Sequence, residues 1–342
     1  QNAGVITKND ATLETLGNIT SGSPLLALIG LAITSVLLIK KVKGSMLWGI
    51  LLTMLIGIPM GITEFNGIVS IPPSLEPVFF KFDYNTIPGV GTDLNAESVG
   101  DGLLEHCRAY VDWLDDLRRR HPDVMIENCG SGAMRADYAQ LSRLDLQSTS
   151  DQCDPLIYAA IAAGAGMTIL PEQQGNWGYA QQEMDDETAV FTLATGVLGR
   201  LYLSGFIDRM TEPRLSLVRD AIALHRCVLA DQQHMVPFWP SGLPDFDGDW
   251  LVVGLRHPSF LPSEDDDPCD YIIVWRRGGT PSVNVPLSED CHIEQIFPNP
   301  AVPEHAPDAK PWTVERMDPE TVRLNATTSK QPSARIFAIR RA

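Results

Sequence analysis

Two aspartates stand out by the residues around them. Asp83 lies in Lys81-Phe82-Asp83-Tyr84-Asn85, and 68 residues later Asp151 closes Ser148-Thr149-Ser150-Asp151. Each follows a short β-prone run, at residues 77–80 and 144–147. A (β/α)-barrel enzyme presents its catalytic groups at the carboxyl ends of its strands. Two carboxylates facing each other across a pocket suit glycoside hydrolysis, one attacking the sugar and the other handling the proton. The bland alternative is that an isolated Asp after a strand caps a helix or forms a turn.

The flanking sequence supplies elements that would hold such a pair. β-like runs at residues 78–82, 124–127, 144–149, 167–170 and 201–204 alternate with helical stretches at 103–120, 187–198 and 213–230, the signature of βα units. The first of these helices is amphipathic and ends on Arg118, Arg119 and Arg120. A βα unit averages roughly 30 residues. The 68-residue spacing therefore predicts two units between the aspartates, on strands of equal parity that face one site. The fold class expected is α/β: residues 78–232 form a partial (β/α)8 (TIM) barrel, with five strands where closure needs eight. Short strands at 250–255, 271–275, 282–285 and 334–339, broken by Pro and Gly, predict a small antiparallel β-sandwich over 247–342.

Residues 1–77 read differently. Residues 24–39 and 46–63 are free of charge, and Lys40, Lys41 and Lys43 lie between them. This is a two-helix, transmembrane-like hairpin whose lysines would face the cytoplasm. Gly30, Gly49, Gly57, Pro59 and Gly61 suit closely packed membrane helices. Membrane contact is accordingly expected through residues 24–63. Charge divides the chain at the same place. Residues 1–81 hold five lysines and four acids, so the rest carries about −18 of the net −17. That excludes nucleic acid as a partner and favours a neutral or cationic ligand. The six cysteines show no CxxC and read as reduced thiols.

From residue 80 to the C-terminus the chain resembles glycoside hydrolase family 36, the bacterial α-galactosidases. The resemblance rests on Lys81-x-Asp83-x-Asn85, the run from Gly91 to Ser98, Glu127-Asn-Cys-Gly-Ser-Gly132, Arg135 with Asp137, Thr149-Ser-Asp151 and the run from Gly199 to Gly205, in that order. It implies hydrolysis of terminal α-D-galactosides in oligosaccharides, with no metal and no cofactor, in the cytoplasm. Asp83 would be the nucleophile that forms a covalent galactosyl-enzyme, and Asp151 the acid and then the base. Lys81 and Asn85 would hydrogen-bond sugar hydroxyls, with Cys129 and Gly132 lining the pocket; Cys129 could equally be a small core residue. A nucleophile must stay ionised, which Lys81 favours. An acid must keep its proton, so Asp151 is expected to be desolvated or close to the charge of Asp83. Retention of configuration implies carboxyl groups roughly 5–6 Å apart. Trp177 would stack on a sugar or plug the rim, Gly89-Val-Gly91 reads as a βα turn, and Glu264-Asp-Asp-Asp267 as a solvated loop rather than a calcium site.

Residues 10–79 resemble a bacterial purine permease of the guanine/hypoxanthine or xanthine/uracil type. The matching residues are Thr15-Leu-Gly-Asn-Ile-Thr, the run from Val42 to Leu51, Gly57-Ile-Pro and Ile71-Pro-Pro-Ser-Leu. Two helices cannot build a carrier's site between repeats, so this segment would be an anchor or have no role. The two resemblances meet at Pro77 to Asp83, as in a composite or truncated chain. Besides the hydrolase, the readings are a permease fragment and a galactoside-binding remnant without activity. An open sheet leaves edges that a second copy of the chain would cover, so a homo-oligomer is expected.

Overall fold

The computed structural model describes residues 6–9, 13–16, 20–62, 79–86, 89, 93–94, 96–258, 268–288, 290–327 and 330–341. The chain divides into two compact units, Gln1–Leu75 and Glu76–Ala342. The expected acidic loop at 264–267 and the permease-like Ile71-Pro-Pro-Ser-Leu lie outside the described residues.

In the first unit, strands β1 (Ile6–Asn9) and β2 (Leu13–Leu16) pair antiparallel and precede helices α1 (Gly22–Ile39) and α2 (Ser45–Gly57). The second helix, expected to run to residue 63, stops at Gly57. The Ile58 cap still has helical geometry, but Pro59 follows it directly and has no N–H to continue the hydrogen-bond ladder. Its 13 residues span about 20 Å at 1.5 Å per residue. That falls short of a hydrocarbon core of about 30 Å. Among the described residues α1 alone, with 18 residues and a mean hydropathy of 2.2, is long and apolar enough to cross a membrane. Glycine sets how closely the two helices approach. A Cβ on Gly30 would collide with Thr53 of the other helix, and one on Gly49 with Thr34. The two threonine hydroxyls donate to Gly30 O at 2.8 Å and to Gly49 O at 2.7 Å within their own helices.

The second unit opens with five parallel strands in sequential order: β3 (Phe79–Asp83), β4 (Met125–Cys129), β5 (Leu146–Ser148), β6 (Gln174–Gly178) and β7 (Arg200–Leu203). Between them run α3 (Asp101–Arg120), α4 (Tyr138–Leu141), α5 (Pro155–Ala165) and α6 (Asp186–Val197). Among the described residues the sheet is open, with β3 and β7 as its edges. The strand expected at residues 167–170 is instead a turn, and β6 begins at Gln174. Pro171 opens a short 3-10 turn that ends the apolar run. The true strand carries the buried amides of Gln174 and Asn176, which no apolar pattern marks.

α7 (Glu212–Asp231) leads into the C-terminal sheets. The larger holds β8 (Val236–Phe238), β9 (Trp250–Arg256), β10 (Cys269–Arg276), β12 (Cys291–Phe297) and β15 (Ser333–Arg341), in the order β12-β15-β10-β9-β8. The smaller holds β11 (Ser282–Pro286), β13 (Thr313–Asp318) and β14 (Thr321–Asn325). They close on each other as a sandwich through Val252, Ile272, Val274, Val285, Val322 and Leu324. The other face of the larger sheet shares a core with α5, α6 and α7, through Leu193, Leu217, Leu255, Ile273 and Trp275. A two-pronged ion pair crosses this contact: Arg335 of β15 meets Glu187 of α6 at 2.7 and 2.8 Å, both side chains buried.

Candidate active site

Residues paired in register on parallel strands point to the same face of a sheet. β3 and β4 pair Lys81 with Glu127 and Asp83 with Cys129. The face that gathers these four side chains also carries Ser148 at the end of β5 and the pair Trp177 and Tyr202 from β6 and β7. On the opposite face of β3 and β4, Phe82 and Ile126 pack with Leu114 and Leu144 under α3. From β4 to β6 that back also holds the buried amides of Asn128, Gln147, Gln174 and Asn176, with Asn128 Nδ2 donating to Gln147 Oε1 at 2.6 Å, while the charged groups lie on the front.

Lys81 is held from two sides. Its Nζ lies 3.1 Å from Glu127 Oε1 and 4.9 Å from the centroid of the Trp177 ring. Burial works to lower its pKa, but the Glu127 carboxylate, with Cys129 and Asp83 behind it, outweighs that and holds the ammonium above the ordinary lysine value. Burial pushes the Cys129 thiol up and Asp83 adds to the effect, against the Gly132 N–H, Lys81 and Ser148. Cys129 is fully buried and in hydrogen-bonding reach of Asp83. Tyr202 is raised by burial first and by Glu127 second.

Asn85 sits just beyond Asp83, and its Oδ1 accepts from Ser131 N–H at 2.6 Å and Ser131 Oγ at 3.1 Å. Ser131 and Gly132 adopt successive left-handed conformations, with φ of +48° and +83°. Gly132 lies so close to the Ser150 backbone that no Cβ fits. That contact ties the loop after β4 to the residue preceding Asp151. Arg135 latches the segment after Asp83: it donates to Tyr84 O at 3.1 Å and Thr86 O at 2.8 Å, and stacks over the Tyr84 ring at 3.7 Å.

Asp151 follows β5 and is exposed, as is Asp83. Its charge bears on Tyr158 and Tyr179, whereas that of Asp83 bears on Lys81 and Cys129. Asp151 is thus in solvent rather than desolvated as expected, at the end of a central strand of a sheet that is open among the described residues. Helix capping does not explain it either. Asp154 caps α5, accepting from Leu156 N–H at 2.9 Å. Trp177 lines the polar front, edge-on to Tyr202 at 5.0 Å and stacked on Tyr179 at 5.9 Å. Glu127 and Tyr202 received no role from the sequence. The period-2 parity of Lys81 and Asp83 with Glu127 and Cys129 was the signal available for the first of them.

No family model matches the chain. Its structural neighbours are family 36 α-galactosidases. A Geobacillus stearothermophilus enzyme solved with raffinose matches at a TM-score of 0.59, with 12% identity over 98% of this chain and 40% of that one. The α-galactosidase from Lactobacillus brevis matches at 0.56, with 13% identity over 100% of this chain and 42% of that one. The galactosidase domain of an α-galactosidase-sucrose kinase matches at 0.56, with 15% identity over 85% of this chain and 36% of that one. At such identities the likeness is one of fold. A stretch at the other end matches curated permeases: 48% identity over 84 residues with a putative permease of Methanocaldococcus jannaschii, and 39% over 80 residues with the guanine/hypoxanthine permease of Bacillus subtilis. The chain spans 18–19% of the length of these relatives.

Proposed function

We propose that residues 78–232 carry the catalytic half-site of a retaining α-galactosidase, and that residues 247–342 are its supporting sandwich. Asp83 attacks the anomeric carbon to form a covalent galactosyl-enzyme while Asp151 protonates the leaving oxygen; Asp151 then takes a proton from the water that releases galactose. Lys81 and Asn85 bind sugar hydroxyls, and Cys129 and Gly132 shape the pocket floor. The observation that carries the reading is the register of β3 and β4, which sets Lys81, Asp83, Glu127 and Cys129 on one face, with Asp83 and Cys129 at the strands' carboxyl end. The fold shared with α-galactosidases, one of them bound to raffinose, supports it. The open edge at β3, where Phe79 and Phe80 are each 49% exposed, makes assembly with a second copy the route to an enclosed pocket. The glycosidase part works in the cytoplasm, and the apolar hairpin associates it with a membrane.

The test is release of p-nitrophenol from p-nitrophenyl α-D-galactopyranoside by the detergent-purified chain. Asp83→Ala is expected to lower turnover by about 10⁴-fold or more. Asp151→Asn is expected to lower it by about 10²- to 10⁴-fold. A folded wild type without turnover defeats the catalytic reading and leaves a galactoside-binding remnant, which ligand-induced stabilisation would reveal. A second reading, a purine-permease fragment, is favoured by the 48% identity in the hairpin region. Purine uptake by vesicles carrying the chain would support it.

A further inference from the structure

We propose that Glu127 is the positioning residue that holds the Lys81 ammonium in the sugar pocket and makes it a hydroxyl donor rather than the counter-ion of Asp83, an inference that rests on the galactoside reading above. The Glu127 side chain is 3% exposed, and Lys81 Nζ meets its Oε1 at 3.1 Å. The Tyr202 hydroxyl is the carboxylate's other polar neighbour and brings no charge. A carboxylate withdrawn from water needs a cation, so the lysine is fixed by the carboxylate's need as much as by its own. The Trp177 ring closes a second side of the ammonium. An ammonium has three N–H donors. With Glu127 and the indole on two sides, the remaining direction is open to solvent, the Lys81 side chain being 29% exposed.

The charges around the ammonium agree with this geometry. Glu127 and Cys129 face it from β4, Asp83 from its own strand, and Tyr202 and Arg200 stand nearby on β7. Glu127 outranks Asp83 among the groups that raise the lysine's pKa. Lys81 is therefore balanced mainly by a carboxylate that plays no part in bond making. Asp83 keeps its own charge for the sugar.

The full chain labelled with [ε-¹³C]lysine has seven lysines, and Lys81→Arg assigns the one that matters. In the wild type the Lys81 signal is expected to titrate above the free-lysine value of about 10.4, and in Glu127→Gln to fall to it or below. D-galactose is expected to move the Lys81 signal in the wild type and to lose that effect in Glu127→Gln. An unchanged Lys81 midpoint in a folded Glu127→Gln overturns the proposal. If that variant does not fold, the wild type decides, because a Lys81 midpoint at or below the free-lysine value of about 10.4 overturns the proposal. Galactose that moves no signal, with the titration shift intact, defeats the galactoside reading and leaves Glu127 as the residue holding Lys81.

Discussion

On its pocket face the parallel sheet carries Lys81, Asp83, Glu127, Cys129, Trp177 and Tyr202, while the two C-terminal sheets meet through valines, isoleucines and Leu324. Both surfaces belong to one compact unit and both are built from strands. The sandwich gains stability from burying apolar area, at roughly 25 cal/mol per Å². The face with Lys81 and Asp83 gives up much of that gain and must match one buried charge, Glu127, with the partly exposed Lys81. Residues that stabilise the unit and residues that do its chemistry are thus on different sheets, and substitutions should sort accordingly.

The largest loss of stability is expected where the two regions are joined. Arg335 and Glu187 are 0% and 1% exposed and hold β15 against α6. Removing one partner of such a pair leaves a bare buried charge and costs about 3–5 kcal/mol. Glu187→Gln should show this in urea denaturation while leaving the position of Asp83 untouched. A loss below about 1 kcal/mol would mean that water reaches the pair and that the joint is not where the unit is held together.

A smaller and more local effect is expected at Tyr158, 1% exposed, whose hydroxyl accepts from Trp177 N–H at 2.7 Å and bonds Thr149 Oγ1 at 2.9 Å. Burial pushes its pKa up to about 12, against the Thr149 and Trp177 hydrogen bonds. Its value in the folded chain exceeds that of a free tyrosine, near 10. The stability it contributes is therefore complete below about pH 10 and lost as pH rises toward 12. Tyr158→Phe should cost about 1–3 kcal/mol at neutral pH by stranding the Trp177 N–H. It should also flatten the alkaline limb of the stability profile; a limb unchanged in the variant would place the titrating group elsewhere.

Gly132→Ala should separate structure from chemistry. The left-handed backbone and the contact with Ser150 together predict a loss of about 1–3 kcal/mol. Turnover should fall further than stability explains, because Ser150 carries Asp151. Proportional losses would reduce Gly132 to a packing residue.

How much of this was legible in the sequence follows the same division. β4, β7, β9, β10 and β15 announce themselves by apolar runs, and Asp83 with Cys129 by their motifs. β6 was misplaced because Gln174 and Asn176 are buried as hydrogen-bonded amides. β13 went unseen because all six of its residues are exposed, leaving no alternation to read. The end of α2 was overrun because its apolar composition continues past Gly57, although Pro59 was there to stop it. Glu127 escaped for a physical reason. A glutamate in a strand reads as solvent-facing until the partner that buries it is known, and that partner, Lys81, lies 46 residues away.

The smallest expected effect tests the contrast most directly. Glu127→Leu combined with Lys81→Met replaces the pocket's ion pair with apolar side chains of similar length. A buried pair exchanged as a whole is often neutral or stabilising by about 1–4 kcal/mol, since the desolvation cost of both charges disappears. Here the gain should fall at the low end, because the Lys81 side chain keeps 29% of its exposure and is partly hydrated already. The double variant should therefore unfold at the same urea concentration as the wild type, or slightly above it, and fail to bind galactose. Unfolding well below the wild type would show that the pair supports the sheet as Arg335 and Glu187 support the joint. The polar face would then be part of the scaffold as well as its site.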